Sequence, residues 1–295
     1  MTGDEDKIMT CSEKNVIVEK VCNTLIKAGS TFSDDKYDVY SSSINCENSE
    51  LSKWAMETMV QNADVAKKNF SPLCDDTGIP HVILEVGKNR IISGDFLDAV
   101  YEGIREGLKK LPGRPMAIKG DYVERISQSG GLADESEAVM PAPLMLKYVD
   151  DEDLLRLTVL MQGGGPEIRA KTYRVFHKHS MDVVVDEIIK WANEVVGQLG
   201  CTPCTLAVGV GRSHFEASSM MLQAMAEGNY NVQNRYEKLI TDEVNQSNVG
   251  ALGLGGKCSV LGTFMKVGPQ RASGVRIVCL RPCCCFEPRK ASTTF

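Results

Sequence analysis

Nowhere in its 295 residues does this chain carry an apolar run long enough to cross a bilayer. Its start, Met1 to Thr10, holds Asp4, Glu5 and Asp6 and lacks an apolar stretch behind a basic region, so no secretory signal is read there. Excess positive charge is missing as well. A net charge of −6 leaves little cationic surface to neutralise phosphate, which argues against nucleic acid and anionic membranes as partners. Internal repeats and low-complexity linkers are absent, and so is any second compact Cys/His pair that would complete a zinc knuckle with Cys201-Thr202-Pro203-Cys204. His177 and His179, two residues apart, do not supply one.

What is present is a large apolar fraction and many thiols. With 43% hydrophobic and 24% charged residues, the chain can bury the core of one large or two moderate domains. Eleven cysteines in a chain of this size read as metal ligands, catalytic thiols or buried packing rather than a disulfide framework, which places the protein in a reducing cytoplasm.

Hydrophobic spacing predicts helices over Glu13–Ala28, with Gly29 as its stop, and over Leu51–Lys68, with a stripe of Leu51, Trp54, Ala55, Met59, Ala63 and Ala66. Between them, Ser30–Asn48 offers few core residues. A strand at His81–Val86 precedes a helix capped by Asp95 with Phe96, Val100, Ile104 and Leu108 inward. Leu111–Pro143 reads as a long irregular connection. Leu144–Val149 and Leu154–Met161 read as an antiparallel pair around the acidic turn Asp150–Asp153. A helix over Met181–Gln198, a strand over Leu206–Val210, a helix near Ser213–Ala226 and strands at Val260–Val267 and Val275–Leu280 follow. The expected class is α+β, with helices packed on small mixed or antiparallel sheets in two layers. One region over 1–295 is expected, divided near 110–180 if it has two subdomains, with residues 1–12 disordered.

Cys74 opens Cys74-Asp75-Asp76-Thr77-Gly78 on a loop between a helix and a strand, Cys201 precedes Val208-Gly209-Val210-Gly211, and Cys283-Cys284-Cys285 comes near the end. Any one of these taken alone reads as a small buried hydrophobe. Neither glycine motif is a nucleotide fingerprint: Gly209-Val210-Gly211 lacks a third glycine, and Gly250-Ala251-Leu252-Gly253-Leu254-Gly255-Gly256-Lys257 has Ala251 and Cys258 where a Walker loop needs Gly and Ser or Thr.

Taken in order, the segments resemble the α region of the iron–sulfur hydro-lyases, the family of class I fumarase and L(+)-tartrate dehydratase. That family shows Cys-Gln-Asp-Thr-Gly, a Gly-Gly-Gly strand end, Cys-Pro-Pro with Gly-Val-Gly, Gly-Pro-x-Gly-Leu-Gly-Gly and Cys-Trp-x-x-Arg-Arg. Here the same order reads Cys74–Gly78, Met161-Gln162-Gly163-Gly164-Gly165, Cys201-Thr202-Pro203 with Gly209 and Gly211, Gly250–Lys257, and Cys285-Phe286-Glu287-Pro288-Arg289-Lys290. The resemblance implies the α subunit of a hydro-lyase acting on a hydroxy acid or dicarboxylic acid, completed by a β subunit in a hetero-oligomer. It implies a [4Fe–4S] cluster on Cys74, Cys201 and Cys285, with an open iron as Lewis acid. Counting back from Arg289 favours Cys285 as the third ligand, whereas counting forward from Ser273 favours Cys283. Asp76 is implied as a proton-transfer residue and Asp75, Thr77, Gly164 and Gly165 as substrate-binding positions. Gly163–Gly165 and Gly209/Gly211 would let backbone amides approach an anion. Arg169, Lys171 and Lys257 are nearby cations that more often serve as surface charges.

Several positions depart from the pattern. Asp75 stands where the family has glutamine, Thr202 follows Cys201 where the family has proline, and Gln270-Arg271 replaces a histidine before Ala272-Ser273. The Asn-Thr-Gly stretch is not recognisable between Arg125 and Pro141. An altered relative keeping the cluster for structure or sensing, and a zinc or thiol protein, are the alternatives.

Overall fold

The structure is a computed structural model and describes residues 10–295. The expected disorder of residues 1–9 lies outside the described residues. Residues 11 and 12 are helical, because Thr10 and Glu13 cap one another: the Glu13 amide donates to Thr10 Oγ1 at 3.2 Å and the Thr10 amide to Glu13 Oε2 at 2.9 Å.

In chain order the elements are α1 (Cys11–Ser30), α2 (Asp34–Cys46), α3 (Glu50–Asn69), β1 (Ile79–Val86), α4 (Gly94–Lys110), α5 (Tyr122–Ser127), β2 (Met145–Tyr148) and β3 (Leu155–Gln162). There follow α6 (Gly164–Glu167), β4 (Lys171–Phe176), α7 (Met181–Leu199), β5 (Cys204–Gly211), α8 (His214–Glu227), α9 (Arg235–Asn245), β6 (Val260–Val267), β7 (Val275–Cys283) and β8 (Arg289–Thr294). Helices packed on two small four-stranded sheets make the fold α+β, as the sequence implies.

The chain forms two compact units, each assembled from separated stretches. The first takes residues up to Ser30, Ala66–Met161 and Lys290–Phe295, and the second Thr31–Val65 and Gln162–Arg289. In the first unit the strand order is β2-β1-β3-β8, and Val82, Leu84, Leu155, Leu157, Val159 and Met161 turn one face of that sheet toward Val21 and Leu25 of α1 and Val100 and Ile104 of α4. The expected pairing of 144–149 with 154–161 is overturned, since β1 lies between those strands and pairs parallel to β2. Val82, Ile83 and Leu84 are buried on successive positions, so both faces of β1 are covered, as suits a strand inside the sheet, whereas β2, at the sheet edge, alternates half-buried and exposed. Gly29 does not stop α1; a Cβ there would come 2.5 Å from Leu111 Cδ2, so the glycine permits close packing inside the helix. Ser93, not Asp95, caps α4, its hydroxyl accepting from the Phe96 amide at 3.1 Å.

The second unit orders its strands β4-β7-β5-β6, with β5 parallel to β6 and antiparallel to β7. Alternation along β5 explains its layers. Leu206, Val208 and Val210 face the core shared with Val184, Ile188, Trp191 and Val195 of α7 and Ile240 and Val244 of α9. On the opposite face, a Cβ at Gly209 would lie 2.0 Å from the Ala217 carbonyl oxygen and one at Gly211 2.6 Å from its nitrogen, so these glycines admit α8 against the strand. Helix α2 is absent from the sequence reading because its fully buried positions are Lys36 and Tyr40, one turn apart, rather than an aliphatic stripe. On α3, Ala55, Met59, Ala63 and Ala66 are buried as expected, whereas Leu51 and Trp54 are exposed and Ser52 and Met56 are buried.

Candidate active site

The residues expected to carry chemistry divide between the units. Cys74, Asp75, Asp76 and Thr77 stand on the first unit's loop ahead of β1; Cys201, Cys285 and the glycines 163–165 belong to the second.

Gly78, at φ 92, takes the left-handed conformation that closes the first unit's loop. Thr77 is buried, its hydroxyl accepts from the Arg114 amide at 3.3 Å, and a Cβ at Gly113 would press to 2.7 Å from it. Asp75 is exposed and its Oδ2 accepts from Arg114 Nη1 at 2.8 Å. The aspartate at the family's glutamine position therefore carries its own counter-charge. Cys74 and Asp76 are both half-buried.

In the second unit one hydrogen bond joins two candidate ligands: the Cys285 amide donates to the Cys201 carbonyl over 2.9 Å. Cys201 is exposed, whereas Cys204 is fully buried on β5, so the Cys-x-x-Cys pair does not act as a single knuckle. Cys283 ends β7 with its sulfur 3.5 Å from Arg281 Nη1. Cys284 and Cys285 share a hydrogen bond, which together with burial pushes the Cys285 thiol well above its ordinary range.

Glu287 ties this loop to the glycine segment. Its carboxylate is fully buried; Oε2 accepts from Arg281 Nη1 at 2.6 Å, and Oε1 accepts from the Gly163 amide at 2.6 Å and from Arg289 Nη2 at 3.5 Å. Burial works against the charge, yet Arg281 and Arg289 hold the carboxyl below the usual range. Arg281 also donates to Glu167 Oε2 at 2.9 Å and to the Gly163 carbonyl at 3.2 Å. Lys36 Nζ donates to the Glu287 carbonyl oxygen at 2.6 Å, and the Tyr40 hydroxyl to that of Cys285 at 2.8 Å. Burial pulls the Lys36 ammonium down to about 8.

Among the glycines, Gly163 is spent on Glu287, Gly164 is exposed, and nothing stands within 4 Å of a Cβ built on Gly165. Gln162, 3% exposed, precedes them, and its Nε2 has no hydrogen-bond partner among the described residues. Gly209 and Gly211 are not part of an anion cradle, since α8 fills the space beside them. Arg169 braces the segment, donating to the Gly165 carbonyl at 3.0 Å, and Lys171 is 3.7 Å from Glu194. His177 is committed to structure, with Nε2 2.7 Å from the Ser273 carbonyl and Nδ1 accepting from the His179 amide. Gln270 Nε2 donates to the Gly268 carbonyl. A cavity of about 600 Å³ in the second unit, lined among others by Cys46, Glu47, Tyr230 and Cys258, takes in Lys257 but none of the expected cysteine ligands or substrate-binding glycines.

Among the described residues no three or more His, Cys, Asp or Glu side chains gather as a closed metal site. The second unit contributes two thiols, Cys201 and Cys285, joined through their backbones, with an unsatisfied amide donor at Gln162 and open space at Gly165. Soft thiol donors fit a thiolate-held group, and an unsatisfied amide donor on the segment that Glu287 ties to the same loop fits an anionic ligand. The sequence reading missed Lys36, Arg281 and Glu287. The only signal for them was a set of charged residues inside apolar or cysteine-rich segments, which elsewhere reads as surface.

The family model described as fumarate hydratase (Fumerase) matches residues 18–294. The putative L(+)-tartrate dehydratase subunit alpha of Methanocaldococcus jannaschii is 24% identical over 258 residues, covering 83% of this chain and 85% of that protein. The L(+)-tartrate dehydratase subunit alpha of Escherichia coli K12 is 23% identical over 279 residues, 91% of this chain and 88% of its own length. A putative class I fumarate hydratase of Geobacillus stearothermophilus is 24% identical over 72% of this chain and 42% of that longer protein. With nearly its whole length matched by the family model, the chain belongs to the fumarate hydratase (Fumerase) family.

Proposed function

We propose that this chain is the α subunit of a cytoplasmic hydro-lyase that reversibly adds water to, or removes it from, a hydroxy acid or dicarboxylic acid. A β subunit completes it as a hetero-oligomer, and Cys74, Cys201 and Cys285 hold a [4Fe–4S] cluster. The observation that carries this reading is the joint between Cys285 and Cys201, braced by Glu287 against the Gly163–Gly165 segment. It also favours Cys285 over Cys283, whose sulfur faces Arg281. Held by three thiolates, such a cluster supplies an open iron that polarises the substrate hydroxyl and carboxylate.

The chain's own residues do the rest. Gly165 and exposed Gly164 let a substrate carboxylate approach the backbone, and at Gly165 a side chain would take the open space. Thr77 fixes the loop that presents Asp76, and Asp76 moves the proton α to the carboxylate. Asp75, neutralised by Arg114, meets the substrate as a polar group rather than a bare like charge.

Anaerobic co-purification with a β-type partner tests the reading. Expected are about four irons per α chain and dehydration of malate, tartrate or a related hydroxy acid. Serine at Cys74, Cys201 or Cys285 is expected to abolish iron binding, and serine at Cys283 to retain it. Stoichiometric zinc without iron would sink the cluster. A brown complex with no turnover would assign the chain to structure or sensing, the reading that the absence of a histidine at Gln270 favours.

A further inference from the structure

Lys36 is a fully buried lysine that pairs with no carboxylate among the described residues. Among them its Nζ makes one hydrogen bond, to the Glu287 carbonyl oxygen at 2.6 Å, and sits 4.7 Å from the centre of the Phe32 ring. An ammonium has three donors, and a buried one is costly unless an anion answers it. The nearby carboxylates are engaged elsewhere. Glu287 is taken by Arg281, Arg289 and the Gly163 amide, and Asp35 accepts from the Tyr230 amide at 2.9 Å. Arg281 thus has two carboxylates, buried Glu287 and exposed Glu167, and Arg289 shares Glu287, whereas Lys36 is paired with no carboxylate among the described residues. Geometry places it against the cysteine loop: its one hydrogen bond is to the carbonyl two residues beyond Cys285, and Tyr40, one turn along α2, donates to the Cys285 carbonyl itself at 2.8 Å. Negative charge added to that loop by ligation would answer the ammonium.

We propose that Lys36 is the charge-balancing residue of the cysteine loop, its buried ammonium compensating the negative charge that thiolate ligation places at Cys285 and so helping to fix how firmly the cluster is held and at what potential. This inference rests on the cluster reading above and goes beyond it, because it assigns a role to a residue outside every motif of the family resemblance. The cation reaches the loop of the ligand it serves from helix α2, at a fully buried position where low dielectric strengthens its effect.

The test replaces the ammonium with a neutral chain of similar length, Lys36→Met, in the full complex with and without its cluster. Without the cluster, Lys36→Met is expected to melt at or above the wild-type temperature, because a buried unanswered charge has been removed. With it, the same variant is expected to release iron on the order of tenfold faster to a chelator and to show a more negative midpoint potential. Equal destabilisation of both forms with an unmoved potential would mean that Lys36 only ties down the Glu287 carbonyl, and would overturn the proposal. Should Lys36→Met not fold, Lys36→Arg decides: with charge retained it must keep wild-type iron content and potential, and its loss of iron overturns the assignment. Failure of the cluster reading itself is separate, since wild-type protein would then bind no iron.

Discussion

Charge is handled in opposite ways in the two units. In the first, Asp75 and Arg114 meet at the surface with side chains 77% and 55% exposed, and Glu85 is answered by half-exposed Lys147 and Arg156. In the second, Arg281, Glu287, Arg289 and Lys36 are all sealed from solvent. An exposed pair is screened and costs little to break, so it is free to serve specificity. A buried network holds its geometry because losing one member strands the others. The cysteine loop of the second unit is fixed by such a network, whereas in the Cys74 loop Thr77 packs against Gly113 and Gly78 makes the turn.

The largest effect that would break this contrast is at Glu287. Glu287→Gln removes the buried carboxylate that Arg281 and Arg289 share and is expected to cost about 3–5 kcal/mol in urea unfolding at neutral pH. Because the folded carboxyl is held below its ordinary range, its stabilisation is complete above the unfolded carboxyl pKa and is lost as pH falls through the lower folded value. The variant should lack that part of the acid slope, and an unchanged slope would show that the network does not depend on the charge.

Glycines sharpen the comparison next. Gly209→Ala drives a methyl into α8 and is expected to cost about 1–3 kcal/mol. Gly165→Ala, with open space, should stay within about 0.5 kcal/mol while weakening substrate binding in the assembled enzyme. Equal stability losses would remove the distinction between a packing glycine and a ligand-facing one. Smallest of all, Arg114→Met should change stability by less than about 1 kcal/mol yet raise KM, since it uncovers the Asp75 carboxylate to an anionic substrate.

Much of the fold was legible because it follows from periodic burial. Helices α1, α3, α4 and α7 and strands β1, β5 and β6 appear in the sequence close to their observed limits. Helix α2 was not, since Lys36 and Tyr40 read as solvent-facing until a buried carbonyl and a cysteine loop are placed against them. Strand β4 and helix α9 were missed too. The partner of β2 was misread because strand spacing carries no record of a third strand inserted from earlier in the chain. At the candidate site, the cysteines and Gly163–Gly165 were read from ordered motifs, but Gly209 and Gly211 looked like the same kind of feature and instead admit a helix.

By itself the sequence determined the family, the α+β class and the short set of thiols and glycines worth testing, because motif order and hydrophobic period are local properties of the chain. Only the tertiary structure decided which glycines stay open, which cysteine lies against Cys201 and where the buried charges meet. Those are matters of distance between residues such as Lys36, Gly163 and Glu287, which are remote along the chain and become neighbours only when the second unit closes its core.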